Sequence, residues 1–243
     1  MKRSHALCSF AIIGLALAAS PSRPLAAQIG PAPSASPYRD ILHGNGWTIT
    51  AGQVYGDGGP LRLSAHSGMS FGLRYDIRLS GLLQGYASLG YLATERGLVN
   101  PDDSVVNQLR GTVDQTVWTP EIGLQLNVTG PKSWHHLAPY ASVGLGAAVG
   151  ESVAEDTTAF NFGTKLLITP AAGVRVYLGP RVNLRIEGMY YYWKMKYPST
   201  WLTEPVAEPA GAGQPKNSVV KTSSELTDWI PTPSLRIGFG LAF

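Results

Sequence analysis

Eight charged residues stand at spacings that could do chemistry together: Arg74, Asp76, Arg78, Glu121, Arg175, Arg185, Glu187 and Arg236. Arg74, Asp76 and Arg78 follow one another at intervals of two, as do Arg185 and Glu187. On a strand, residues two apart point to the same face. Opposite charges gathered on one face can form an ion-pair and hydrogen-bond network, a gated ion path or a buried polar site. In a low-dielectric interior each charge costs several kcal/mol unless it is paired, so a network is the expected arrangement. Five arginines against three acids leave an excess of two, to be met by backbone carbonyls, Tyr86, Tyr140 or water.

Other chemistry finds less support. Gly144-Leu145-Gly146-Ala147-Ala148-Val149-Gly150 has the look of a dinucleotide fingerprint. Val149 stands where the third glycine belongs, though, and the segment alternates like a strand where the motif needs a turn into a helix. The histidines beyond the leader are His43, His66, His135 and His136. Neighbours on a strand point to opposite faces, so His135 and His136 do not make a metal pair. A histidine followed two residues later by a serine would share a strand face, where the pair could deacylate a lipid. No His-x-Ser occurs in the chain, and His66-Ser67 are adjacent. No catalytic residue, metal ligand or cofactor is assigned; an acyltransferase built from loop residues would leave no local motif.

These charges belong to a chain of alternating segments. Eight stretches read as strands: Trp47 to Tyr55, Met69 to Leu79, Leu83 to Ala93, Trp118 to Val128, Leu137 to Val149, Leu166 to Leu178, Val182 to Trp193, and about Pro233 to Phe243. In the second, Met69, Phe71, Leu73, Tyr75, Ile77 and Leu79 oppose Ser70, Gly72, Arg74, Asp76 and Arg78. The last sets Leu235, Ile237, Phe239, Leu241 and Phe243 against Arg236, Gly238, Gly240 and Ala242. Most have the ~9–11 residues that a tilted strand needs to cross a bilayer. Bulk outside with polar or small residues inside is the alternation of a transmembrane barrel. The expected fold is all-β: an eight-stranded antiparallel transmembrane up-and-down β-barrel over residues 46–243.

Composition agrees. Only 14% of the chain is charged, while glycine numbers 28, which suits a lipid-facing wall around a crowded interior. Residues 1–27 read as a signal peptide: Lys2 and Arg3, an apolar stretch from Ala6 to Ala19, and Leu25-Ala26-Ala27 before the cleavage point. The leader removes Lys2, Arg3 and Arg23, so of 19 basic residues the mature chain keeps as many as its 16 acidic ones. Its net charge is about zero and no nucleic-acid partner is implied. Cys8 leaves too, and with it any disulfide or thiolate site. Residues 28–45, rich in Pro, Ala and Ser, read as a flexible periplasmic lead-in.

The connections alternate in length. Ser80-Gly81, Thr129 to His136 and Gly179-Pro180-Arg181 are short, whereas Gly56 to Ser67, Thr94 to Val117, Gly150 to Lys165 and Lys194 to Thr232 are long. Short turns belong to the periplasm and long loops outside, and an even strand count puts both mature termini in the periplasm. The aromatics fit: Tyr55, Phe71, Tyr91, Trp118, Tyr190 and Tyr192 fall at the loop end, and Trp134 and Phe243 at the other. Within the longest loop, Thr203 to Asn217 is Pro- and Gly-rich and low in complexity.

Eight strands, a leader, this rhythm of connections and the Ile237, Phe239, Leu241, Phe243 ending make the chain resemble the small outer-membrane barrel families of OmpA and OmpX type. The resemblance covers Trp47 to Phe243 and speaks to location and assembly. It implies that the outer-membrane assembly machinery reads the terminal aromatic strand. The chain ends with the barrel strand, so an OmpA-like wall-anchoring role is not expected. The expectation is a monomer surrounded by outer-membrane lipid, non-enzymatic, with an envelope-structural or surface-interaction role through its long loops. The alternatives are a lipid A-modifying enzyme and a narrow pore. Eight strands leave room for little more than side chains, so a plugged lumen is favoured over a path.

Overall fold

The computed structural model describes residues 36–154, 156, 160–205 and 217–243. The signal peptide lies outside them, as does most of the low-complexity segment. Among the described residues there are ten strands: β1 (Tyr38–Asp40), β2 (Gly46–Asp57), β3 (His66–Arg78), β4 (Leu83–Val99), β5 (Leu109–Asn127), β6 (Lys132–Trp134), β7 (Leu137–Gly150), β8 (Thr164–Tyr177), β9 (Val182–Lys196) and β10 (Thr227–Ala242). Eight of them close a ring in the order β2-β3-β4-β5-β7-β8-β9-β10, and β10 returns to β2 in antiparallel register from Ser234↔Val54 to Ala242↔Gly46. The chain is a closed eight-stranded antiparallel up-and-down β-barrel. Closure leaves no unpaired edge for lipid to meet, which any strand structure crossing a bilayer must achieve.

Alternation places the residues as the sequence predicts. Leu73, Leu89, Ile122, Leu124, Val143, Leu145, Ile186, Ile237 and Phe239 all stand exposed on the outside, Ile122 to 69%. Inside are Arg74, Asp76, Glu121, Arg175, Arg185, Glu187 and Arg236, all buried. An apolar belt of that extent belongs in lipid, and a polar lumen inside it is the construction of an outer-membrane barrel. Among the described residues no helix is long and apolar enough to cross a membrane.

The structure departs from the sequence-based boundaries at the loop end. β4 runs six residues past Ala93, β5 starts nine before Trp118, β9 continues to Lys196, and β10 starts at Thr227 instead of Pro233. Pro231 and Pro233 discourage a strand reading, because proline cannot complete a ladder. They sit where β10 is paired with β9 alone, beyond its last rung to β2 at Ser234. Other prolines mark gaps in pairing. The β5–β7 register skips Pro120, and the β8–β9 register skips Pro170.

The lead-in is also tied down where it is described. β1 pairs antiparallel with β6, Tyr38 opposite Trp134, and Ile41 N–H donates to Pro131 O at 2.8 Å. Flexibility inferred from composition therefore does not hold from Tyr38 onward, since the sheet completes those backbone bonds. His135 and His136 link β6 to β7 with φ of 46° and 66°. Positive φ at both central positions makes a type I′ turn, which suits the twist of a hairpin. The histidine pair is a turn.

Candidate functional site: the filled interior

Strand parity delivers the charges to one layer of the lumen. Asp76 binds three guanidiniums: Arg74 Nε at 2.9 Å, Arg185 at 2.9 Å and Arg175 at 3.4 Å. Glu187 takes Arg236 at 2.5 Å and the Tyr140 hydroxyl at 2.9 Å, with Arg185 and Arg74 at 3.7 and 3.8 Å. Terminal N–H groups of Arg74 and Arg175 go to amides, while Nε of Arg175, Arg185 and Arg236 is buried without a hydrogen-bond partner among the described residues. Gln125 Oε1 accepts from Arg74 at 2.7 Å and from Arg175 at 3.0 Å, and Gln84 Oε1 accepts from Arg175 at 2.7 Å. Gln125 then donates to Gln84 and to Asn127. Charge-assisted bonds of this density make a side-chain plug. Beside it, among Asp76, Arg175 and Asn183, lies a void of about 20 Å³, room for about one water.

Two tyrosines carry the network. Tyr86 lies opposite Gly123 in register, and Tyr140 opposite Gly173. A Cβ on either glycine would meet the facing ring, at 2.4 Å from Tyr86 and 2.8 Å from Tyr140 Cζ. Glycine lets each ring lie down on the wall, where it receives cations. Arg74 Cζ stands 3.5 Å above the Tyr86 ring, and Arg185 Cζ 5.0 Å from that of Tyr140.

Two of the eight sequence candidates lie apart. Arg78, at the turn end, is half-buried; it donates to Ile41 O at 2.7 Å and His43 O at 3.2 Å and so ties the lead-in to the barrel. Glu121 is buried one layer towards the loops, where Ser88 donates to it at 2.7 Å and Thr169 at 2.5 Å. The ionic layer itself thus holds four arginines and two acids, its surplus met by Gln84, Gln125 and the tyrosine faces.

Beyond Glu121 the lumen changes character, which sequence reasoning missed. Met189, Tyr191, Trp193 and Met195 of β9 point inward and pack with Val54, Leu92, Val117, Leu167 and Ile230. The loops close over them through Leu63, Phe160, Phe162, Tyr197, Trp201 and Val220. Tyr191 stacks on Trp193 at 5.1 Å, Phe162 meets Trp193 edge-on at 6.2 Å, and Tyr197 stacks on Trp201 at 6.3 Å. Trp193 Nε1 donates to Thr232 Oγ1 at 2.7 Å. Burial pushes the Tyr197 phenol up to about 12, so it stays neutral. A buried latch holds the loop after β7: Arg96 pairs with Asp156 at 2.7 Å, donates to Gln115 at 2.9 Å and lies over Phe160. The signal was present in Tyr191, Trp193 and Met195, inward by parity on a strand whose outward Tyr190 and Tyr192 suited a girdle.

Among the described residues no histidine ring is hydrogen-bonded to a serine hydroxyl; His66 Nε2 lies 3.1 Å from Arg62 O. No cluster of three or more potential metal ligands occurs among them either.

No protein-family model and no curated protein matches the chain. Among solved structures it is similar to Neisserial surface protein A, with 14% identity over 86% of this chain and 98% of that one, at a TM-score of 0.46. It is also similar to the outer membrane protein OprG from Pseudomonas aeruginosa, with 12% identity over 82% and 93% and a TM-score of 0.45. A third is Ail, the attachment invasion locus protein of Yersinia pestis, with 14% identity over 83% and 99% and a TM-score of 0.38.

Proposed function

We propose that the chain is a non-conducting, non-enzymatic outer-membrane protein whose role is carried by the surface at its loop end. That role is envelope integrity or contact with a partner outside the cell. One observation carries the reading: the lumen is filled twice over, by the ionic layer and by the aromatic core that the loops close. A barrel sealed in this way offers no route through itself, and the same packing that seals it fixes the loops as a shaped surface.

In this reading the short turns and both mature termini face the periplasm and the loops face outward. The barrel stands as a monomer in outer-membrane lipid. The assembly machinery engages β10 and the residue after it, where Leu235, Ile237, Phe239, Leu241 and Phe243 form an exposed apolar ridge. The test is topological. A peptide tag inserted within residues 206–216 should be labelled on intact cells. A tag placed directly after the leader should be labelled only once the outer membrane is permeabilised. The reverse pattern, or recovery of the protein as a soluble periplasmic species, would overturn the reading.

A further inference from the structure

At the loop-end margin of the wall, outward lysines stand on β9 and outward carboxylates stand on β4 and β5 across the barrel, with one more on β2 beside β10. Above Tyr190 and Tyr192, the next outward positions of β9 are Lys194 and Lys196. On the other strands the outward charges at this margin are Asp57 of β2, Glu95 of β4 and Asp114 of β5, apart from Arg110, which is bound to Asp103 at the tip of the β4–β5 hairpin. Glu95 and Asp114 are exposed and face each other in register. In the ring order the β4–β5 pair lies across the barrel from β9–β10.

The lysines are set to bind an anion. Among the described residues neither has a carboxylate within ion-pair distance. Lys196 is near enough to Lys165 for their charges to repel, and Lys165 is itself inward beside Phe160 and Phe162. Trp229 stands opposite Lys194 in register, with the ammonium 5.9 Å from its ring. Successive outward positions on a strand lie about 7 Å apart, so two ammonium groups can flank one phosphate. Lysine stems cover apolar wall while their heads reach the headgroup layer, just above the level where tyrosine and tryptophan mark the interface.

We propose that the β9–β10 margin holds a phosphate-bearing lipid headgroup, and that the carboxylates of β4–β5 make this binding one-sided. The proposal rests on the membrane-spanning reading of the barrel. The test places the full mature protein in phosphatidylcholine nanodiscs carrying a minor fraction of diphosphorylated lipid A, or of the same lipid with its phosphates removed. Native mass spectrometry then counts the lipid retained. The wild type should retain the phosphorylated lipid preferentially. Lys194→Gln and Lys196→Gln should each weaken retention about fivefold, while Glu95→Gln with Asp114→Asn should not weaken it. Equal retention of the two lipids by the wild type, or undiminished retention by the lysine variants, would overturn the proposal. Failure of the protein to enter the nanodisc would instead overturn the membrane reading beneath it.

Discussion

Tyr86 lies flat on Gly123, its partner in the β4–β5 register, with the Arg74 guanidinium 3.5 Å above the ring's centre. Strand wall, aromatic ring and cation form a stack three layers deep. Gly123→Ala should therefore destabilise the barrel by on the order of 1–3 kcal/mol through overpacking. Gly173→Ala should do the same beneath Tyr140. Urea titration of the protein folded into lipid vesicles reads the loss; unchanged stability in both variants would show that the rings do not need the glycines.

The outward face must be apolar at mid-height. Leu124 is 49% exposed near the centre of β5. Leu124→Arg should cost about 2–4 kcal/mol at the bilayer midplane, measured by the same titration. If that variant folds into lipid as stably as the wild type, the assignment of outside and inside is wrong.

Glu187 neutralises Arg236 and holds the Tyr140 hydroxyl. Glu187→Ala strands buried guanidiniums and should lower stability by about 3–5 kcal/mol. Gln84→Ala removes only an amide acceptor and should cost less. A smaller loss in Glu187→Ala than in Gln84→Ala would mean that the charges are not what holds the layer together.

The cap should fail separately from the barrel. Arg96→Met breaks the Arg96–Asp156 latch, so the loop after β7 should become sensitive to protease while the strands stay folded. Limited proteolysis with mass analysis, beside circular dichroism, distinguishes loop release from global unfolding. Undiminished protease resistance would make the latch dispensable.

Most of the barrel is legible one strand at a time, because period-2 alternation is local. Arg74 and Asp76, or Arg185 and Glu187, announce a shared inward face by spacing alone. That all four meet in one layer follows from closure once the strands are in order. Arg78 has the right parity but the wrong height, and parity carries no height. The aromatic core was harder to read. Trp193 lies against Phe162 only because a loop folds back into the mouth, and Tyr197 and Trp201 sit in a segment with no alternation at all. β1 is hidden for a similar reason: three residues become a strand only when β6 comes alongside.

The central claim is that ionic layer and aromatic core together seal the lumen, and conductance tests it most directly. Wild-type protein reconstituted in a planar bilayer should give small currents or none, because the path is occupied from the Arg175 level to Trp201. Large, steady single-channel currents from the wild type would contradict the account and recast the surplus arginines as an anion-selective lining.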